Sequence, residues 1–369
     1  MVTIKDIAKL SGVSPATVSR ILNGHPTVSP ELRERVLQLA RELNYQPNAV
    51  ARSLVSSRSR LLGVVIPDIS NPFFPDVVRA VEDVAAQHGY SVLLSNTDWN
   101  LYREKESLGI LRSRQVDGIV LVPSQVEPHL DWLTRSSIPV ALLTRTNPSF
   151  DSVETDHFRG GYLVAKHLVD LGHTHMAVIG DTCDPKYKGF REGLIDAQIP
   201  VATNLYSWQL SKNDATQEGA YQLTLQKMRE FEQLKQNRAQ AGGMPTDQQL
   251  ERPTAIFAQN DLMAIGVLMA LEELGVKVPE EMAVVGFDNI RLAAAVRPAL
   301  TTVAQPSYEL GRIATELLIE RIESRREIPP RHIVLEPRLV VRGSTTRLRQ
   351  QAPVELSSRE AIPDHGSSA

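Results

Sequence analysis

From Leu61 onward, apolar runs of strand length alternate with amphipathic stretches of helical length, and this alternation constrains the fold more than any other feature of the chain. Strands are expected at Leu62–Pro67, Ser91–Ser95, Gly118–Val122, Val140–Thr144, Met176–Gly180, Ala255–Ala258 and Met282–Phe287. Helices are expected at Phe74–Gln87, Leu101–Arg114, Gly160–Leu171 and Asp261–Leu274. Continuous Val/Ile/Leu runs, each followed by a helix, give parallel sheets covered on both faces. So long a series predicts two such lobes. Open parallel sheets bind ligands beyond the carboxyl ends of their strands. That singles out Asp68 to Phe74, Ser124, Thr144, Asp181 to Lys188, Asn260-Asp261 and Asp288-Asn289.

The first sixty residues have another texture. Thr3 caps a short helix with Asp6 three residues on, where an acid favours the positive helix start. Gly12 supplies the positive φ that ends it. Ser14 then caps a second helix with Pro15 at its first position, where the missing N–H costs nothing. Val18, Ile21 and Leu22 share one face of that helix; Ala16, Arg20 and Asn23 lie opposite, with Thr17 beside them. A third helix follows Ser29-Pro30, with Leu32, Val36, Leu39, Ala40 and Leu43 as its buried stripe and Asn44 and Pro47 at its close. Two readings fit this spacing. One is a helix-turn-helix whose second helix reads a major groove, with Arg20 able to fork onto guanine. The other is a three-helix bundle with a solvated polar face.

Charge separates the two halves of the chain. The net charge of −3 divides into +5 for residues 1–60 and −8 for the rest, so the basic surface is local to the small helices. Cys183 is the single cysteine, which excludes an internal disulfide and any multi-cysteine metal site. His173 and His175 lack recognisable further ligands, and no metal or cofactor is expected. No apolar run reaches the length of a membrane helix and no signal-peptide h-region opens the chain, so a cytoplasmic protein without a membrane partner is expected. The sequence carries no phosphate loop, nucleophile elbow or paired-carboxylate signature, and an enzyme is not expected.

Three segments stand apart. Residues 47–60 read either as a plain linker or as a hinge that folds on a partner surface. Leu223 to Arg252 reads as an extended surface helix followed by a loose loop. The tail, residues 344–369, reads as disordered.

Several motifs occur in order: Thr3-Ile4-Lys5-Asp6-Ile7-Ala8, Gly12-Val13-Ser14-Pro15-Ala16-Thr17-Val18-Ser19-Arg20, Leu43-Asn44-Tyr45-Gln46-Pro47-Asn48-Ala49 and Ala51-Arg52-Ser53-Leu54. They continue with Asp68-Ile69-Ser70-Asn71-Pro72-Phe73-Phe74, Leu171-Gly172-His173, Ala258-Gln259-Asn260-Asp261, Val285-Gly286-Phe287-Asp288-Asn289 and Pro298-Ala299-Leu300-Thr301-Thr302-Val303. On these motifs the chain resembles the lactose-repressor/galactose-repressor (LacI/GalR) family of bacterial transcription regulators. The resemblance implies an all-α helix-turn-helix headpiece (residues 1–46), a hinge helix and linker (47–60), and a two-lobed α/β core resembling type I periplasmic binding proteins (61–343).

It further implies a homodimer on a pseudo-palindromic double-stranded DNA operator, acting as a repressor, with a small-molecule effector between the lobes. DNA contacts would come from Thr3, Ser14, Pro15, Ala16, Thr17, Arg20, Asn23 and Tyr45. Leu54 would wedge a minor-groove base step, with Ala51 letting two hinge helices approach. The effector site would draw on Phe73, Phe74, Ser124, Thr144, Asp156, Lys186, Trp208, Asn260 and Asp288; Phe73 and Phe74 also suit a lobe core. Thr144 stands where sugar-binding members carry Asp, and Lys186 where they carry Arg, whose bidentate fork a Lys cannot reproduce. The effector class (sugar, sugar phosphate or nucleobase) therefore stays open. A regulator answering to a non-sugar ligand or a protein partner, and a periplasmic-type binding protein, are the alternatives.

Overall fold

In the computed structural model the described residues are 2–22, 28–45, 58–124, 133, 138–211, 214–241, 251–324 and 326–346. The N-terminal unit is three helices: α1 (Ile4–Ser11), α2 (Pro15–Leu22) and α3 (Pro30–Glu42). Ile7, Ala8, Val18, Ile21, Val36 and Ala40 close its small core, with Leu22, Leu32, Leu43 and Tyr45 packed around them. Gly12 turns the chain at φ 71°, and its N–H caps the Ala8 carbonyl. Asn44, at φ 48°, ends the third helix as its sequence position suggests.

The remainder forms two six-stranded sheets. The first contains β1 (Leu61–Ile66), β2 (Ser91–Asn96), β3 (Gly118–Leu121), β4 (Val140–Leu143), β5 (Asp151–Thr155) and, at its edge, β11 (His332–Leu335). The second contains β6 (Met176–Gly180), β7 (Leu205–Gln209), β8 (Ala255–Ala258), β9 (Ala283–Asp288), β10 (Thr301–Ala304) and β12 (Arg338–Val340). All pairings are parallel except β10 with β12. Central strands such as β3, β4, β6, β8 and β9 are buried along their whole length, which is why they read as unbroken apolar runs.

The chain passes between the lobes three times: after β5, after β10 and between β11 and β12. The helix Ser307–Glu323, reached from the second sheet, packs on the helix Phe73–Gln87 and on β3, β4 and β5 of the first. It is fixed there by Asp151, fully buried, which accepts bonds from Arg321 Nε at 2.8 Å and from the Arg331 backbone N–H at 2.8 Å. Strands β5, β7, β10, β11 and β12 were not expected from the sequence. β5 and β10 are buried but carry Asp151, Ser152 and Glu154 and Thr301 and Thr302, while β7, β11 and β12 lie at sheet edges with exposed positions, so none of them reads as the unbroken apolar run that marks the central strands.

Two boundaries move. The core extends beyond 343: Ser344 is fully buried and its hydroxyl donates to the Val284 carbonyl at 2.6 Å, so these residues belong to the second lobe rather than to a tail. The long surface helix begins earlier, spanning Gln217–Ala241. Its expected loop, residues 242–250, lies outside the described residues, as do 347–369.

Candidate functional site

The surface of α2 sorts as its spacing requires. Ser14, Pro15, Ala16 and Arg20 are exposed and Thr17 half-buried, while Val18 and Ile21 face inward. Ser14 caps the helix through its Oγ, which accepts the Thr17 backbone N–H at 3.1 Å. Its hydroxyl also lies 2.9 Å from that of Thr17, so both side chains are held at the helix start. A helix N-terminus with free N–H groups and a positive end suits phosphate contact. Thr3 is exposed, and its N–H and hydroxyl both donate to Asp6, at 2.8 and 2.7 Å. Those hydrogen bonds, the hydroxyl's first, hold the Asp6 carboxyl below its usual range. Tyr45 is half-buried against the headpiece core. Asn23, Ala51 and Leu54 lie outside the described residues.

Between the two sheets, where the strands' carboxyl ends face each other, lies a cleft of about 840 Å³. Its lining follows the chain position by position: Asp68 after β1, Thr144 after β4, Asp181 after β6, Leu210 after β7, Asn260 after β8, Asp288 ending β9 and Gln305 after β10. Thr144 adopts φ 61°, and Asp288 and Asn289 φ 115° and 58°. A β-branched residue at positive φ is strained, and such strain concentrates where a site dictates backbone direction.

Of the residues singled out for this site, Phe73, Phe74, Thr144, Lys186, Asn260 and Asp288 line the cleft, and three do not. Ser124, three residues after β3, is buried, its N–H donating to Glu104 at 2.6 Å. Asp156 serves as a helix cap, accepting the Arg159 N–H at 2.8 Å. Trp208 is buried beneath the helix Gln217–Ala241 with Tyr206 and Phe231, and Leu210, two residues on, reaches the cleft instead. Phe73 and Phe74 are only 4% and 5% exposed and belong mainly to the lobe core. The aromatic surface comes from Trp99, whose ring meets Phe74 edge-on at 6.2 Å. Trp99 sits in a loop after β2 with no periodic signal to mark it.

The second lobe's wall is a linked set of polar groups. Lys186 Nζ donates to the Gln259 carbonyl at 2.9 Å and lies 4.1 Å from the centroid of the Phe287 ring. Gln305 Nε2 donates to Asp288 at 2.7 Å, and its Oε1 lies 3.0 Å from His157 Nε2. Burial pushes the Asp288 carboxyl up to about 6, against the pull of Lys186 and the bonds from Gln305 and Asn71. Burial, then the Lys186 charge, drives His157 down to about 4, so its imidazole is neutral at pH 7. For Asp184 burial, the largest single influence, acts upward, but the charges of Lys186, His157 and Arg145 and the Lys186 backbone N–H together hold the carboxyl below its usual range. His157 and Gln305 stand on two of the three interlobe passages, so this set ties the cleft to the hinge. The sequence marked neither, because each takes its meaning from a partner more than a hundred residues away.

A small helix-turn-helix followed by two parallel α/β lobes around a cleft defines a ligand-responsive DNA-binding regulator. Residues 3–48 match the family model described as bacterial regulatory proteins, lacI family, and residues 165–345 match the periplasmic binding protein-like domain. The chain is 35% identical over 354 residues to catabolite control protein A of Priestia megaterium, covering 93% of this chain and 99% of that protein. It is 38% identical over 348 residues to the ribose operon repressor of Halalkalibacterium halodurans, covering 91% and 97%. The lac repressor dimer bound to operator and the anti-inducer ONPF superposes with a TM-score of 0.78 at 26% identity, covering 94% of this chain and 99% of that one. The chain belongs to the lacI family of bacterial regulatory proteins, and it is a DNA-binding transcriptional regulator. Among the described residues no helix is long and apolar enough to cross a membrane.

Proposed function

We propose that the protein is an operator-binding repressor without catalytic activity, working as a homodimer whose affinity for DNA is set by a small molecule held in the interlobe cleft. The observation that carries this reading is the exposed face of α2, from Ser14 to Arg20, raised on a closed three-helix core and followed in the chain by a two-lobed binding fold. The ribose operon repressor's name and the lac repressor's operator complex support the same reading. In this reading Thr3, Ser14, Pro15, Thr17 and Tyr45 position the headpiece on phosphates, and Ala16, Arg20 and Asn23 face base edges. Residues 47–60 carry the hinge, with Ala51 and Leu54 at the minor groove. Effector binding changes lobe closure through the passages bearing His157 and Gln305 and couples to DNA by about 1–3 kcal/mol.

The test is selection of bound genomic fragments by the full chain, followed by the Arg20→Ala variant on the selected site. Loss of about 1–3 kcal/mol of specific affinity with relaxed base preference is expected. Unchanged specificity removes Arg20 from the reading face. Leu54→Ala should weaken specific binding more than non-specific binding, and an equal loss in both counts against the wedge.

A further inference from the structure

The cleft has a charge pattern that bears on its occupant. Six carboxyl groups line it, Asp68 and Glu154 from the first lobe and Asp181, Asp184, Asp288 and Glu218 from the second, against two basic residues, Arg145 and Lys186. Lys186 is already engaged: its ammonium donates to the Gln259 carbonyl, sits on the Phe287 face and neighbours Asp184 and Asp288. Asp288, 7% exposed, accepts a side-chain hydrogen bond from Gln305 at Oδ1 and another from Asn71 across the cleft. Acids on both walls repel as the lobes close, so an anion between them would be disfavoured and a cation would favour closure. Trp99, with Phe74 edge-on to it, lines the cleft and gives it an aromatic surface for the uncharged part of a ligand.

We infer that the effector of this cleft is a small polar molecule bearing an ammonium group, rather than a phosphorylated or otherwise anionic one. This rests on the cleft being the effector site. The ammonium sits between the acids of the two lobes, nearest Asp288 and Asp184, and the uncharged part of the molecule rests on Trp99. Asp288 then supplies a signature. Its carboxyl, facing Lys186, Asp184 and, from within its own lobe, Asp261, titrates at about 6. A bound cation takes the place of that proton, so affinity rises as pH rises through 6 and binding releases protons below it.

The experiment uses the full-length protein and isothermal titration with matched probes: glucose, glucosamine and glucose 6-phosphate, with spermidine as a non-sugar ammonium. At least one ammonium probe should bind saturably and roughly tenfold or more tighter than the neutral and phosphorylated probes. Its affinity should fall between pH 7.5 and 5. Asp288→Asn should abolish both the preference and the pH dependence. The inference is overturned if glucose 6-phosphate binds as tightly as glucosamine, if glucose binds tightest, or if neither ammonium probe saturates. Failure of the full chain to bind any DNA fragment would instead overturn the regulator reading, and leaves the titration result standing.

Discussion

The helices His157–Asp170 and Pro185–Asp196 both begin at the cleft, one with His157 and the other with Lys186 in its first turn, and they cross at two glycines. A β-carbon on Gly161 would lie 1.9 Å from the Lys186 carbonyl oxygen, and one on Gly189 1.8 Å from that of Phe158. Real β-carbons do not approach closer than 3.0 Å, so Gly161→Ala must part the two backbones by an ångström or more. Backbone cannot rotate away as a side chain can, which puts the overpacking cost near the top of its range, about 3 kcal/mol. Replacing a helical glycine returns about 1 kcal/mol. A net loss of about 2 kcal/mol remains, or a fall in Tm of roughly 4–8 °C for a unit of this size.

Differential scanning calorimetry of Gly161→Ala, Gly189→Ala and the double variant checks this. Once the helices have parted for one methyl, the second meets little, so the double variant should lose less than the sum by more than about 1 kcal/mol. Gly109→Ala, on a helix where an added β-carbon meets nothing within 4 Å, is the control and should be neutral or stabilising. A Tm change below 1 °C for Gly161→Ala, or additive losses, would refute the argument.

Two further outcomes follow from buried charge. Asp151→Asn leaves the Arg321 and Arg331 guanidiniums without their buried counter-ion and should destabilise the first lobe by about 3–5 kcal/mol; denaturant unfolding reads it, and a loss under 1 kcal/mol would mean solvent reaches the pair. His173 is 2% exposed, and its burial lowers it to about 4 from an ordinary 6.5. The unfolded chain therefore holds more protons between those values, so stability is fully present above 6.5 and is lost as pH falls toward 4. His173→Asn should flatten that limb by up to about 1.4 kcal/mol per pH unit, measured by unfolding at pH 4.5 and 6.5, and an unchanged slope would exclude the group.

The inner strands of both sheets and the headpiece were legible because burial on both faces, or on one helical stripe, writes itself into residue order: β1, β3, β8 and the faces of α2 follow from their apolar positions. The site was legible at the ends of those strands, as at Thr144, Asn260 and Asp288. Where a residue's role depended on a distant partner, residue order said nothing. Asp156 reads as a polar pocket position and caps a helix; Trp208 reads as a platform and is covered by the helix Gln217–Ala241. Lys186 departs from the sugar-binding pattern, and its seat against Phe287 and Gln259 could not be foreseen from its neighbours in the chain.

The three passages between the lobes also order events during synthesis. The first sheet's edge strand β11 and its covering helix Ser307–Glu323 are encoded after the second lobe's strands β6 to β10. While the second lobe emerges from the ribosome, the face of the first sheet that this helix will cover lacks Leu310, Ala314, Leu317 and Leu318, and β5 has an open edge. At roughly 5–20 residues per second that interval lasts on the order of ten seconds. Neither lobe can therefore be excised as one continuous stretch, and a chain cut after β10 would present an apolar sheet face and an unpaired strand, a combination that favours aggregation.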